Sequence, residues 1–140
     1  MSFRIAIVPA LHVMDVWIKV LPHIMNGKEH WDKFYTLNQI RRNLLAGQQQ
    51  LWIMIKDEKD VIMACITQLD EYPEKKVLRI SYCGGSGLTR AMIKELKKIE
   101  NWGKEKGAVM VDVLGRKEWG KLLLKLDYTV PGVVYRKELV

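Results

Sequence analysis

The residues of this chain best suited to chemistry are a glycine cluster, Gly84-Gly85-Ser86-Gly87, set between an apolar run ending in Tyr82-Cys83 and a long lysine-rich stretch. Glycines at a strand-to-helix junction let backbone amides approach an anion closely, and the helix dipole adds to the attraction. The chemistry would be phosphate or pyrophosphate binding, with Tyr82, Cys83, Gly84, Gly85, Ser86, Gly87 and Leu88 as candidate contacts. A glycine cluster of this length serves equally as a plain flexible turn. Other chemistry is sparse. His12, His23 and His30 are scattered, and the two cysteines, Cys65 and Cys83, fall inside strand-like runs. No Cys/His spacing matches a zinc site, so no metal is expected. The cysteines read as buried free thiols of a reducing compartment.

The elements that would position this cluster follow from the pattern of apolar residues. Arg4–Val8 predicts a first strand closed by Pro9. Val13, Val16, Trp17, Val20 and Ile24 have helical spacing, and the helix should stop at Asn26-Gly27. His30, Trp31, Phe34 and Tyr35 make an aromatic loop. Thr36-Leu-Asn-Gln39 has the form of a capping box opening a short helix with Leu37, Ile40 and Leu44 inward, ended by Gly47. The runs 50–56 and 61–69 flank Asp57–Asp60 and read as a β-hairpin of central strands, apolar on both faces. A fourth strand from Lys76 to Cys83 leads into the glycines. A long helix, roughly Gly87 to Lys106, should turn Met92, Leu96 and Ile99 inward with Trp102 at the edge of the stripe. Gly107 ends it, and a buried strand follows to Leu114. That strand–helix–strand unit implies a parallel pair through a right-handed crossover. A last helix should bury Trp119, Leu122, Leu123 and Leu126, and Val133–Leu139 should close the sheet as a final strand.

Length and charge bound the rest. The chain has 140 residues, 49% of them hydrophobic, enough for a single domain spanning 1–140 and too few for two. No apolar run could span a bilayer, and the N-terminus has no signal-peptide pattern, so no membrane partner and no secretion are expected. Net charge is +7, and it is uneven: residues 1–70 carry 8 Lys/Arg against 7 Asp/Glu, residues 71–140 carry 15 against 9. A basic half suits an anionic partner, whether a nucleotide-like cofactor, nucleic acid or an acidic protein face. Lys94, Lys97, Lys98, Lys117, Lys121 and Lys125 could form such a face or simply a solvated one. No aromatic platform is interleaved with them, which argues against single-stranded nucleic acid without excluding nucleic acid altogether.

The order of elements, βααβββαβαβ, together with the glycine cluster, resembles the GNAT acetyltransferase fold over nearly the whole chain. Cys83-Gly-Gly, Ile99-Glu-Asn-Trp102, Lys106-Gly-Ala, Gly115-Arg-Lys-Glu-Trp119 and Arg136-Lys-Glu-Leu139 are similar to a set of small bacteriophage-encoded GNAT-like proteins. The resemblance implies an α/β domain with a mixed, mostly antiparallel central sheet, one parallel βαβ crossover and helices on both faces. It implies acetyl-CoA held where the fourth and fifth strands splay, its pyrophosphate at the amino end of the crossover helix. It further implies host cytoplasm or virion as the setting, with phage virion proteins as candidate partners.

The departures from the family pattern concern catalysis. The usual phosphate loop is Gln/Arg-x-x-Gly-x-Gly/Ala. With Gly85-Ser-Gly87 as its end, Tyr82 stands in the Gln/Arg slot; anchored instead on the helix end at Gly107, the pattern falls on Gly87 to Arg90-Ala-Met92 and fails at several positions. The usual Asn of the last helix falls near Arg116, the general-acid Tyr is Leu123, and the Gly before the final aromatic is Asp127. Tyr128 and Tyr135 are substitutes for the missing acid, and Asp70 and Glu74 are base candidates by family position. Trp31, Phe34 and Tyr35 fall where the family binds its acceptor, and would equally suit a protein interface or loop packing. Two functions therefore stand: an acyl-CoA-dependent N-acetyltransferase of unknown acceptor, or a non-catalytic GNAT-like virion component acting through protein interfaces.

Overall fold

The apolar runs in the middle of the chain form the centre of a five-stranded sheet. The computed structural model describes residues 2–30, 34–85, 90–115 and 119–140. The strands are β1 (Phe3–Val8), β2 (Gln50–Lys56), β3 (Asp60–Glu71), β4 (Lys76–Gly85) and β5 (Ala108–Val113), and they lie side by side in chain order. All neighbours are antiparallel except β4 and β5, which are parallel. The helices are α1 (Val13–His30), α2 (Leu37–Leu45), α3 (Arg90–Glu105) and α4 (Gly120–Leu124). The expected mixed α/β architecture is therefore the observed one.

Because successive side chains of a strand point to opposite faces, the central strands feed two cores. Leu51 and Ile53 of β2, with Ala64 and Ile66 of β3, pack under Val20, Ile24, Ile40 and Leu44 of α1 and α2. Trp52 and Met54, with Met63, Cys65, Leu78 and Ile80, pack against Leu96 and Ile99 of α3 on the other face. The Trp52 and Trp102 rings meet edge to face at 5.7 Å between centroids, a favoured geometry for two quadrupoles. The buried Trp52 indole donates to Thr67 Oγ1 (3.0 Å), which donates to Gln50 Oε1 (2.9 Å), so neither polar group is orphaned.

The capping box is present in both directions: Gln39 N donates to Thr36 Oγ1 and Thr36 N to Gln39 Oε1. Three expectations need correction. First, α1 does not stop at Asn26-Gly27 but runs through it to His30. Gly27 is a packing residue: a Cβ there would lie 2.6 Å from the Tyr82 carbonyl carbon. Second, Val133–Leu139 forms no strand; the segment is exposed, with Tyr135 93% accessible. Third, β5 is consequently an edge and not a buried strand, with Val109 and Met110 open to solvent. The α4 turn is short, and Trp119, Leu122, Leu123 and Leu126 are only partly buried. Among the described residues, no helix is long and apolar enough to cross a membrane.

Candidate functional site

Where β4 outruns its parallel partner, the sheet opens. The β4–β5 ladder covers Lys76–Ile80 against residues 108–113, and its last bond runs from Leu114 N to Ile80 O (3.0 Å). From Ser81 to Gly85 the strand pairs with β3 alone. Residues 81–85 thus present one backbone edge with no strand partner among the described residues, next to the segment that leads into α3.

A bulge shapes this edge. Ala64 faces Gly84 and Ile66 faces Ser81, so Cys65 alone stands opposite Tyr82 and Cys83. Two residues against one is a β-bulge, which shifts the phase of the alternation and twists the strand. Leu78 and Ile80 point toward α3; two residues later Tyr82 should do the same, yet it packs under α1 and α2, and Cys83 takes the α3 side. Tyr82 holds φ +47°, a region that a bulky side chain occupies only where its surroundings enforce it. Burial of the ring to 2% exposure against Ile24 and Ile40 supplies that enforcement.

The glycines that follow are committed to packing. A Cβ on Gly84 would collide with the His23 carbonyl oxygen of α1 and come within 2.6 Å of Gly27 N. Gly85, at φ +148°, lies against the β3 backbone, 2.7 Å from Met63 Cα for a Cβ. So α1 crosses β4 at backbone-to-backbone distance through the pair Gly27 and Gly84. Of the seven residues expected at a phosphate site, Tyr82, Cys83, Gly84 and Gly85 line the splay through their backbones, while their side chains or missing side chains serve the packing of the two faces. Ser86, Gly87 and Leu88 lie outside the described residues, as do Trp31, Arg116 and Lys117 and the side chains of Met92 and Lys94.

Among the described residues, titratable groups do not converge on the splay. The neighbouring Cys83 thiol and complete burial hold the Cys65 thiol well above the usual range, which makes it an inert core residue. Asp70 pairs with Val77 and binds Arg79 at 2.7 Å, and Glu74 is in the β3–β4 turn, so both base candidates sit at the opposite end of β4. At about 3.3 Å per residue, the five steps from Lys76 to Ser81 put about 16 Å between that end of β4 and the open edge. Leu123, in the general-acid slot, packs against the α3-side core. Asp127, where the family has Gly, adopts φ +66°, so the backbone there does take the left-handed form that glycine favours. Tyr135 is exposed, and Phe34 and Tyr35 are on the surface before α2. Among the described residues there is no cluster of metal-ligating groups.

Tyr128 is half-buried, and its hydroxyl donates to Glu100 Oε2 at 2.7 Å. Burial first, then the carboxylate, raise the phenol pKa above its ordinary value of 10.0. A group whose pKa is raised in the folded state stabilises the fold below its unfolded pKa and loses that contribution as pH climbs toward the folded one. Tyr128→Phe should therefore cost about 1 kcal/mol near neutrality, allowing for its partial exposure. It should also flatten the loss of stability from about pH 10 upward. Urea midpoints at pH 8 and pH 10.5 check both, and an unchanged alkaline slope would show that the phenol is not linked to folding.

No protein-family model matches the chain, and no curated protein matches it. Solved structures do. The chain is similar to a GCN5-related N-acetyltransferase from Ralstonia eutropha, at 13% identity, TM-score 0.70 and 99% coverage of each chain. It is similar to a predicted acetyltransferase from Clostridium acetobutylicum solved with acetyl-CoA, at 9% identity, TM-score 0.68, covering 98% of this chain and 96% of that one. It also matches an aminoglycoside acetyltransferase from an uncultured soil metagenomic sample in complex with sisomicin, at 13% identity, TM-score 0.71, covering 99% and 97%. The fold is therefore that of the GNAT acetyltransferases.

Proposed function

We propose that this protein binds an acyl-CoA in the splay between β4 and β5 and transfers the acyl group to an amine. The observation that carries the reading is the parallel ladder ending at Ile80 while β4 continues to Gly85. That leaves a stretch of β4 edge, without a strand partner among the described residues, for an extended amide-bearing chain such as pantetheine to run alongside. The start of α3 at Arg90 carries no carboxylate in its first turn, which suits an anion at that helix end. The acetyl-CoA complex of the Clostridium acetobutylicum neighbour supports the same choice of ligand. In the transfer, the amine nitrogen attacks the thioester carbonyl, the carbon–sulfur bond breaks, and the thiolate leaves with the proton the amine gives up. With Leu123 in the core and Tyr128 donating to Glu100, the side chains supply orientation more than acid catalysis.

The same two side chains favour a second reading, in which the fold is kept for its surfaces, as in a virion-associated protein, and no transfer occurs. Isothermal titration with acetyl-CoA and with CoA decides between them. Micromolar or tighter binding is expected. Absence of heat at millimolar ligand would remove the acyl-CoA reading and leave the interface one.

A further inference from the structure

Helix α1 carries more apolar surface than its core face uses. Val13, Val20 and Ile24 are buried against the sheet. A second apolar stripe runs beside them. It starts at Leu11, in the 3-10 turn Ala10–His12 that leads into the helix, and continues through Met14, Ile18, Leu21 and Met25. Among the described residues, none of these five belongs to either core. Leu21 is half-buried, whereas Leu11 and Ile18 are 85% exposed, Met14 51% and Met25 45%. Exposed apolar residues scattered singly are ordinary, but a contiguous patch is not. Helix residues three and four apart are neighbours, so the stripe is continuous over about 21 Å. Its four most exposed members leave roughly 500 Å² open, toward the upper end for the largest patch on a monomer.

The spacing selects the occupant. Positions 11, 14, 18, 21 and 25 step by three and four in turn, the register by which one helix packs along another. Two heptads are too few for a free-standing coiled coil, but the core face already holds α1 helical. A bilayer surface fits less well. It calls for a cationic polar face, and the described charges beside the stripe are one of each sign, Asp15 and Lys19. A two-fold axis at Ile18 suits both the stripe and the charges. It sets Leu11 against the partner's Met25 and Met14 near the partner's Leu21. It also brings Asp15 to within about 3 Å, along the helix, of the level of the partner's Lys19. Two copies then hide about 1,000 Å², the area a specific interface needs.

We infer that α1 is a self-association face, on which two copies of this chain pair antiparallel along Leu11 to Met25. The same patch serves on both copies, so the assembly closes at two.

Light scattering after gel filtration tests this on the full chain. At tens of micromolar the mass should be near twice the 16.3 kDa of one chain. Ile18→Glu places two like charges on the axis and should weaken association roughly a hundredfold, leaving a monomer at the same concentration. The side chain is on the surface, so the variant should keep its fold, and a thermal melt checks that. Leu124→Glu alters an exposed apolar residue of α4 and should stay dimeric. A second readout does not depend on breaking anything. Leu11→Cys mixed with Met25→Cys under oxidised glutathione should give an intermolecular disulfide, while Leu11→Cys alone should give none. A monomeric wild type overturns the inference: flotation with phosphatidylglycerol vesicles would then mean that the stripe meets lipid, and no flotation that it meets a foreign helix. A dimer that survives Ile18→Glu, or that Leu124→Glu dissolves equally, overturns it as well. Cross-linking of Leu11→Cys to itself and not to Met25→Cys overturns the antiparallel arrangement.

Discussion

Replacing Gly84 by Ala should lower the stability of this protein by roughly 3–4 kcal/mol and its Tm by on the order of 10 °C. The added methyl would meet the His23 carbonyl oxygen and Gly27 N, both backbone atoms of α1. Backbone cannot rotate away as a side chain does, so α1 would have to lift off β4. That separates Val20 and Ile24 from Tyr82, and the ring is what holds the bulge in its positive-φ form. Gly27→Ala attacks the same contact from the other side, through the Tyr82 carbonyl carbon, and should produce a loss of the same kind. Gly120→Ala is the control: nothing lies within 4 Å of a Cβ there, and α4 gains a better helix former. Thermal melts of the three variants suffice. If Gly84→Ala melts with the wild type, the close crossing of α1 over β4 is wrong.

A second large effect is expected at Leu78, in the form of a coupling. Leu78 is fully buried, and its Cδ2 lies 2.8 Å from where a Cβ on Gly103 of α3 would stand. Leu78→Ala alone should cost about 3 kcal/mol through lost burial and the cavity left behind. Gly103→Ala alone gains about 1 kcal/mol of helix propensity but pushes on Leu78, so its net effect should be slightly destabilising. Made in the Leu78→Ala background, the same change meets only the remaining Cβ, at 3.4 Å an ordinary contact, and should recover about 1–2 kcal/mol. The sign of one substitution thus depends on the other, with a coupling of about 2 kcal/mol, inside the range for residues in contact. Denaturant midpoints of the four proteins measure it, and strict additivity would mean that α3 does not sit on β4 at this point.

Which features were legible in the sequence depended on whether their cause was local. The capping box is local, because Thr36 and Gln39 need only each other, and it was found where expected. The hairpin between β2 and β3 and the parallel β4–β5 pair follow from short-range spacing and one crossover rule, and both are present. Glycine was less readable. At Gly27 it looked like a helix stop, because a glycine ending a helix and one admitting a neighbouring backbone are the same letter; the neighbour, Tyr82, is 55 positions away. The bulge at Tyr82 leaves no mark in composition, since an aromatic in a strand ordinarily keeps to its alternating face. The final strand was expected from its β-forming residues, but propensity names no partner strand, and residues 133–139 stay exposed and make no ladder. As for the site, the splay of β4 from β5 was anticipated from the resemblance to GNAT proteins. That Gly84 and Gly85 are occupied by α1 and β3 could be learned only from the packed structure.

The sheet's chain-order arrangement has a consequence for synthesis. Among the described residues, every buried member of the core under α1 and α2 lies between Val8 and Tyr82. The core on the other face needs Leu96, Ile99 and Ala108, with Trp119 to Tyr128 packed against it. A chain emerging from the ribosome therefore holds, by residue 85, four strands and everything required to close one face. The opposite face, with Trp52, Met54, Met63 and Leu78, has to wait for some forty residues more. A nascent chain stalled with residues 1–85 exposed should already generate folding force, and one stalled with residues 1–130 exposed should generate a second, separate peak. Between those lengths the half-built sheet shows its apolar side to the cell, and that interval is when a chaperone would have something to hold.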